Sequence, residues 1–230
     1  MVGHLGKKLD EEGTINMGRF LVFEGIDGCG KSTQIEMLGN FLKAQKQKVF
    51  VTREPGGTEF GEKCRKLFLM EKLDGLTEAC LAFASRNEHV LQKIKPALRL
   101  GHWVLCDRFS DSTIAYQGYG RGVEVKFLRE MAKNIEKQFS EMRIIYVHTS
   151  LETCLERIKK RGGIKNKFDN SSKIFFKKVI YGYSNIVKER GGNIIQVDGN
   201  DETEKVFSKI LQSVPELRQF KTKYDNSGGI

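Results

Sequence analysis

One stretch constrains this chain more than any other. Residues Gly25 to Ser32 read G-I-D-G-C-G-K-S and fit the pattern G-x-x-x-x-G-K-[ST], a loop that cradles phosphate groups. An apolar run, Phe20 to Phe23, precedes it, and a helix-like stretch, Lys31 to Lys46, follows it. That strand–loop–helix setting is the context in which the pattern has physical meaning. Glycines let the backbone turn tightly and approach a polyphosphate without a Cβ in the way. The amides of Gly25, Ile26, Asp27, Gly28, Cys29 and Gly30 then point at the anion, at the positive end of the following helix. Lys31 can reach the outer phosphates, and Ser32, with Thr33 beside it, can offer a hydroxyl to magnesium. The plainer reading is a chance match on a glycine turn, and the two flanks argue against it. The expected ligand is a nucleoside triphosphate.

The 230 residues suffice for one domain with a sizeable core. No apolar run approaches the roughly 18 residues that would suggest a membrane span. The net charge of +10 is compatible with nucleic acid, with a membrane surface, or with highly anionic small molecules. Because the basic residues are spread through the chain, with one local density at Lys159, Lys160, Arg161, Lys165 and Lys167, small anions are the favoured partner. Cys29, Cys64, Cys80, Cys106 and Cys154 form no C-x-x-C pair, and their odd number closes no disulfide set. They read as reduced thiols of a cytoplasmic protein. His4, His89, His102 and His148 have no metal-ligand spacing.

Residues 1–16 show no periodic apolar pattern and are expected to form a disordered extension. From there to residue 214 one domain is expected, and residues 215–230 read as a flexible tail. Strand-like runs occur at Phe20–Phe23, Val49–Thr52, Trp103–Cys106, Ile144–Val147 and Ile194–Val197. Helix-like stretches lie between and after them: Lys31–Lys46, Ala79–Arg99, Val125–Phe139, Leu151–Lys160, Ser172–Lys188 and Glu202–Val214. This alternation predicts an α/β fold, a parallel five-stranded sheet with helices on both faces. Ligands of such sheets gather at the carboxyl ends of the strands.

Several motifs follow the strands. T-R-E-P-G-G-T, Thr52 to Thr58, puts Arg53 at a strand end, where an arginine can hold a phosphate bidentately. A surface turn with a paired arginine is the alternative. Asp107-Arg108-Phe109 ends an apolar strand in aspartate, a position where a carboxylate meets magnesium. A helix cap is the alternative there. The stretch from Asp111 to Gly122 mixes hydroxyls, an amide and aromatics suited to reading a base and a sugar. Its alternative is an ordinary helix start followed by a loop. Arg157 to Gly163, continuing to Lys167, is densely cationic and broken by two glycines. It reads as a basic lid over about 157–170 that closes on phosphates, or as a solvated helix end.

These motifs, in this order, resemble the thymidylate kinase family, in its bacterial form, from about Met17 to Val214. The resemblance implies a P-loop nucleoside-monophosphate-kinase-like fold and transfer of the γ-phosphoryl of ATP to thymidine 5′-monophosphate. It assigns Lys31, Ser32 and the rest of the loop to ATP, with Mg²⁺ at Ser32 and Asp107. It gives Asp27 to the 3′-hydroxyl of the acceptor and Arg53 and Arg108 to its phosphate. Arg86 would hydrogen-bond the thymine, and Thr113, Tyr116 and Gln117 would line base and sugar. The family's stacking phenylalanine is often four residues before the arginine. Here Ala82 holds that place, and Phe83 is the nearest ring. The lid carries Asn166-Lys167-Phe168-Asp169 where the family has an Asp-Arg-x-Glu-like run, so Arg157 and Arg161 become the lid cations. The family also implies a homodimer, with no nucleic acid and no membrane as partner. A kinase of another nucleoside monophosphate, and a P-loop protein that binds nucleic acid, remain the alternatives.

Overall fold

The computed structural model describes residues 18–70, 72–139, 141–161 and 172–220. The expected N-terminal extension and the distal lid, 162–170, lie outside the described residues. Five strands, β1 (Arg19–Glu24), β2 (Val49–Arg53), β3 (Trp103–Asp107), β4 (Met142–His148) and β5 (Ile194–Asp198), form one sheet in the order β2-β3-β1-β4-β5. Every neighbouring pair is parallel. Each strand contains one of the expected apolar runs. Parallel neighbours need crossovers, and right-handed crossovers lay helices on both faces. Strands buried on both faces read as continuous apolar runs rather than as an alternation. Accordingly Phe20, Leu21, Val22 and Phe23 of central β1, and Val104, Leu105 and Cys106 of β3, are all buried.

The helices are α1 (Lys31–Ala44), α2 (Glu59–Met70), α3 (Gly75–His89), α4 (Lys95–Arg99), α5 (Ser110–Thr113), α6 (Val125–Glu136), α7 (Leu151–Arg161), α8 (Lys173–Arg190) and α9 (Thr203–Ser213). Three features depart from the sequence reading. Helix α2 was not expected: its apolar positions are interrupted by glutamates, lysines and an arginine. The stretch predicted as one helix over 79–99 starts earlier, where the Asp74 carboxylate caps the amide of Leu76 at 2.8 Å, and widens into a π-helical turn at Val90–Ile94 before α4. The segment from Ser110 is helical as well, passing from α5 into a second wide turn, Ile114–Gly120.

Residues 215–220, expected as the start of a flexible tail, are packed instead. Leu217 and Phe220 are buried, and the Phe220 ring meets Phe41 and Trp103 edge-on with centroids 6.3 and 6.2 Å away. No charge pattern announces this, since two apolar side chains suffice to dock a short turn. The described chain contains no helix long and apolar enough to cross a membrane.

Register levels the functional ends of the sheet. Phe23 of β1 and Arg53 of β2 both pair with Asp107 of β3. The loops that leave these three strands, at Glu24–Lys31, Arg53–Thr58 and Asp107–Ser110, therefore open side by side into one crevice.

Candidate active site

The loop after β1 wraps the amino end of α1. Gly28 has φ +80°, and a Cβ there would sit 2.5 Å from the Cys154 carbonyl of α7. Only glycine fits both the conformation and the space. Ile26 and Cys29 are buried, so they offer backbone rather than side chains to a ligand. The Cys29 carbonyl accepts from the Thr149 hydroxyl at 3.0 Å and from Arg157 Nη1 at 3.4 Å, which ties the loop to the start of the lid helix. Lys31 Nζ donates to the carbonyls of Gly25 and Ile26 at 3.1 and 3.0 Å. A cleft of about 430 Å³ lies over this loop, and Ser32, Thr33, Arg53, Asp107, Arg108 and Arg157 are among the residues on its walls.

The Ser32 hydroxyl donates to Asp107 Oδ2 at 2.9 Å, while the buried Asp107 Oδ1 has no partner. A hydroxyl and a carboxylate at the mouth of a phosphate cleft are the hard oxygen donors that Mg²⁺ takes, through one or two protein ligands and the substrate phosphates. An orphaned buried carboxylate oxygen fits that donor set.

Arg108 follows Asp107 in a left-handed conformation, φ +73°, rare for a residue with a side chain. Its hydrogen bonds hold it there. The backbone amide donates to Phe23 O at 2.9 Å; Nη1 donates to Gly25 O at 2.9 Å and Ser112 Oγ at 3.0 Å; Nη2 donates to Asp27 Oδ1 at 2.9 Å. The turn folds the arginine back over the phosphate loop. Burial would raise the Asp27 carboxyl, but the charges of Arg108 and Lys31 and the Tyr116 hydroxyl at 2.8 Å hold it below its ordinary value.

Beneath Arg108 lies a buried hub that the sequence reading missed. The Glu24 carboxylate, at the end of β1, accepts from the amides of Phe109 (2.7 Å) and Ser112 (3.1 Å), the Ser112 hydroxyl (2.6 Å) and the Tyr183 hydroxyl (2.9 Å). A glutamate ending an apolar strand carries no sequence signal of that role.

A second cavity shares Asp27, Arg108, Arg65 and Glu54 with the first cleft and extends toward Phe68, Ala82, Arg86, Thr113, Tyr116 and Gln117. Arg86 is buried. Its Nε pairs with Glu54 Oε2 at 2.6 Å, and its Nη2 donates to Phe109 O at 2.9 Å and Thr113 Oγ1 at 3.1 Å. Its Nη1 is buried without a partner. The Gln117 amide nitrogen is engaged by Glu78 Oε2 at 2.8 Å, which leaves its carbonyl oxygen uncommitted. The structure thus brings Asp27, Arg86, Arg108, Thr113, Tyr116 and Gln117 together. Phe83 is not with them: it is buried beside the Arg86 guanidinium, 5.0 Å from its ring centroid, and does not line the cavity. The helical step of α3 turns position 82 to the cavity and 83 away from it, so the phenylalanine that lines it is Phe68 of α2, alongside Tyr116.

Arg53 reaches the first cleft while pairing with Glu62 at 3.1 Å. Arg65, unforeseen because α2 was unforeseen, donates to Pro55 O at 3.0 Å and borders both cavities. Burial together with the neighbouring Arg53 lowers its pKa. The side chain of Arg161, like the rest of the lid beyond it, lies outside the described residues.

A family model described as thymidylate kinase matches residues 23–210. The chain belongs to the thymidylate kinase family. Thymidylate kinase of Magnetococcus marinus is 38% identical over 200 residues, covering 86% of this chain and 95% of that protein. The Caldicellulosiruptor saccharolyticus enzyme is 41% identical over 202 residues, covering 87% and 97%. The crystal structure of thymidylate kinase from Ehrlichia chaffeensis superposes with a TM-score of 0.69 at 30% identity, over 85% of this chain and 98% of that one. The fold is accordingly the P-loop nucleoside-monophosphate-kinase fold. As a member of this family the chain is a phosphotransferase that phosphorylates thymidine monophosphate at the expense of ATP.

Proposed function

We propose that ATP occupies the cleft over the phosphate loop, that thymidine monophosphate occupies the second cavity, and that Asp27 and Arg108 stand at the wall between them. The observation that carries this reading is Arg86 itself, which lines the second cavity and keeps one buried guanidinium nitrogen, Nη1, without a partner. A guanidinium only donates. It pairs with the O4 carbonyl of thymine and meets a donor, the N4 amino group, on cytosine. Gln117 has its carbonyl free for the N3–H of the same base. Stacking on the base falls to Phe68 rather than to Phe83.

The acceptor phosphate is ionised at neutral pH, so neither a covalent nucleophile nor a strong general base is required. The chemical task is to hold two polyanions in line and offset their repulsion. Lys31, Arg108, Arg53 and a lid arginine, Arg157 or Arg161, serve that end, with Asp27 taking the acceptor's 3′-hydroxyl. Asp107 and Ser32 would hold Mg²⁺, which would supply positive charge against the phosphates. The Arg108–Asp27 pair then has to open when the acceptor phosphate enters. We further propose a cytoplasmic homodimer with no nucleic-acid or membrane partner.

The test is ATP consumption with magnesium, comparing thymidine, uridine, cytidine and guanosine monophosphates as acceptors. Preference for thymidine monophosphate is expected. Preference for the cytidine compound would overturn the assignment of Arg86 to the base.

A further inference from the structure

Behind Arg86 runs a chain of buried polar groups for which the reaction has no direct use. Glu54, the acid of T-R-E-P-G-G, is buried between two cationic or donor groups. Its Oε2 lies 2.6 Å from Arg86 Nε, and its Oε1 lies 2.9 Å from His89 Nδ1. The other ring nitrogen, Nε2, lies 2.7 Å from Thr52 Oγ1. A carboxylate only accepts, so Nδ1 donates to Glu54, while Nε2 pairs with the Thr52 hydroxyl, which can donate or accept. The ring is also clamped sterically. A Cβ on Gly57, which has φ +79°, would lie 2.3 Å from His89 Nε2. The loop after β2 and helix α3 are therefore keyed to each other through this one imidazole.

Glu54, His89 and Cys106 also bring ligand atoms within 4.8 Å of one another. The Arg86 guanidinium already supplies the positive charge at Glu54, which leaves no electrostatic reason for a metal there.

We infer that His89 and Glu54 are positioning residues that set base selectivity, by fixing the plane of the Arg86 guanidinium so that Nη1 faces the base. This rests on the assignment of Arg86 to the base. The guanidinium is planar, with its donors in a rigid fork. Once Nε is held by Glu54 and Nη2 by Phe109 O and Thr113, the direction of Nη1 is determined. Phe109 on one contact and Phe83 on another, with ring centroids 5.2 and 5.0 Å from Cζ, limit its tilt. Loosening Glu54 frees the fork to rotate, and a rotated fork no longer tells a carbonyl from an amino group.

The experiment measures kcat/KM of the full chain for thymidine and deoxycytidine monophosphates, with KM for ATP and the melting temperature as controls. His89→Asn keeps a donor near the position of Nδ1 and is expected to retain selectivity. His89→Gln keeps only the Thr52-facing group, and His89→Leu keeps neither. Both are expected to lose about tenfold of the thymidine-over-deoxycytidine ratio, the scale of one hydrogen bond to a charged group, with KM for ATP unchanged. Thr52→Val, a near-isosteric change, is expected to lose a smaller part of the ratio and covers the case in which the leucine variant does not fold. An unchanged ratio in folded His89→Gln and Thr52→Val, or equal loss in His89→Asn and His89→Gln, overturns the inference. A wild-type enzyme that shows no preference for the thymidine compound overturns the underlying base-site reading instead.

Discussion

Tyr183→Phe probes how the helix after the lid is tied to the acceptor clamp. The Tyr183 hydroxyl is buried and lies 2.9 Å from both Glu24 Oε2 and Ser112 Oγ, while its ring stacks on Tyr146 with centroids 5.0 Å apart. Burial and the nearby Glu24 charge push its pKa far up, so the group stays a donor at every working pH. Phenylalanine keeps the stacking and removes one oxygen. Glu24 retains three other donors, the amides of Phe109 and Ser112 and the Ser112 hydroxyl. The loss is then one hydrogen bond to a buried carboxylate, about 2 kcal/mol. For a domain of this size that lowers the melting temperature by about 4–8 °C. Because Arg108 Nη1 donates to Ser112 Oγ, the same change should raise KM for the monophosphate more than KM for ATP. Calorimetry and steady-state kinetics read both effects. A double-mutant cycle with Ser112→Ala should show coupling, since both hydroxyls share Glu24. A melting temperature within 1 °C of wild type (~0.3 kcal/mol on the same scale), together with additive single effects, would refute the hub.

Two further perturbations follow from the structure. Asp27 has a folded-state pKa below its ordinary value near 3.9, so its contribution to stability is present above that pH and lost as pH falls through the lowered value. In the ligand-free protein, Asp27→Asn should flatten the acid limb of stability below about pH 4, and an unchanged limb in pH-dependent denaturation would count against the Arg108–Asp27 pair. Phe220→Ala removes a ring packed between Phe41 and Trp103 and should cost about 3 kcal/mol; a denaturant midpoint equal to wild type would restore the flexible-tail reading of residues 215–220.

The central strands were legible from local sequence because they are buried on both faces and so read as unbroken apolar runs. Phe20–Phe23 and Trp103–Cys106 are the plainest cases. At the sheet edges, β2 and β5 were legible from their β-branched and apolar residues despite partial exposure. The phosphate loop was legible for a related reason: glycine spacing, lysine and serine each meet a local requirement of backbone and charge. The motifs at Arg53, Asp107 and Arg108 could be located in the sequence because strand ends are local. Their mutual distance could not, since the pairing of Phe23 and Arg53 with Asp107 depends on strand order. Helix α2 was hidden by its charged, half-exposed surface, and with it went Arg65 and Phe68. Sequence could not tell that Phe83 lies off the cavity wall: one position on α3 is about 100° of rotation, which separates Ala82 on the wall from Phe83 beside the Arg86 guanidinium. Buried charges such as Glu24 and Glu54 are likewise mute in sequence, because their partners lie 32 to 159 residues away. Apolar periodicity and loop chemistry are properties of neighbouring residues, so sequence alone determined the fold class and the position of the phosphate-loop motif after β1. Which rings line the second cavity, and which buried carboxylates pair with Arg86 or brace the turn at Arg108, depend on contacts between distant segments, and only the packed tertiary structure decided them.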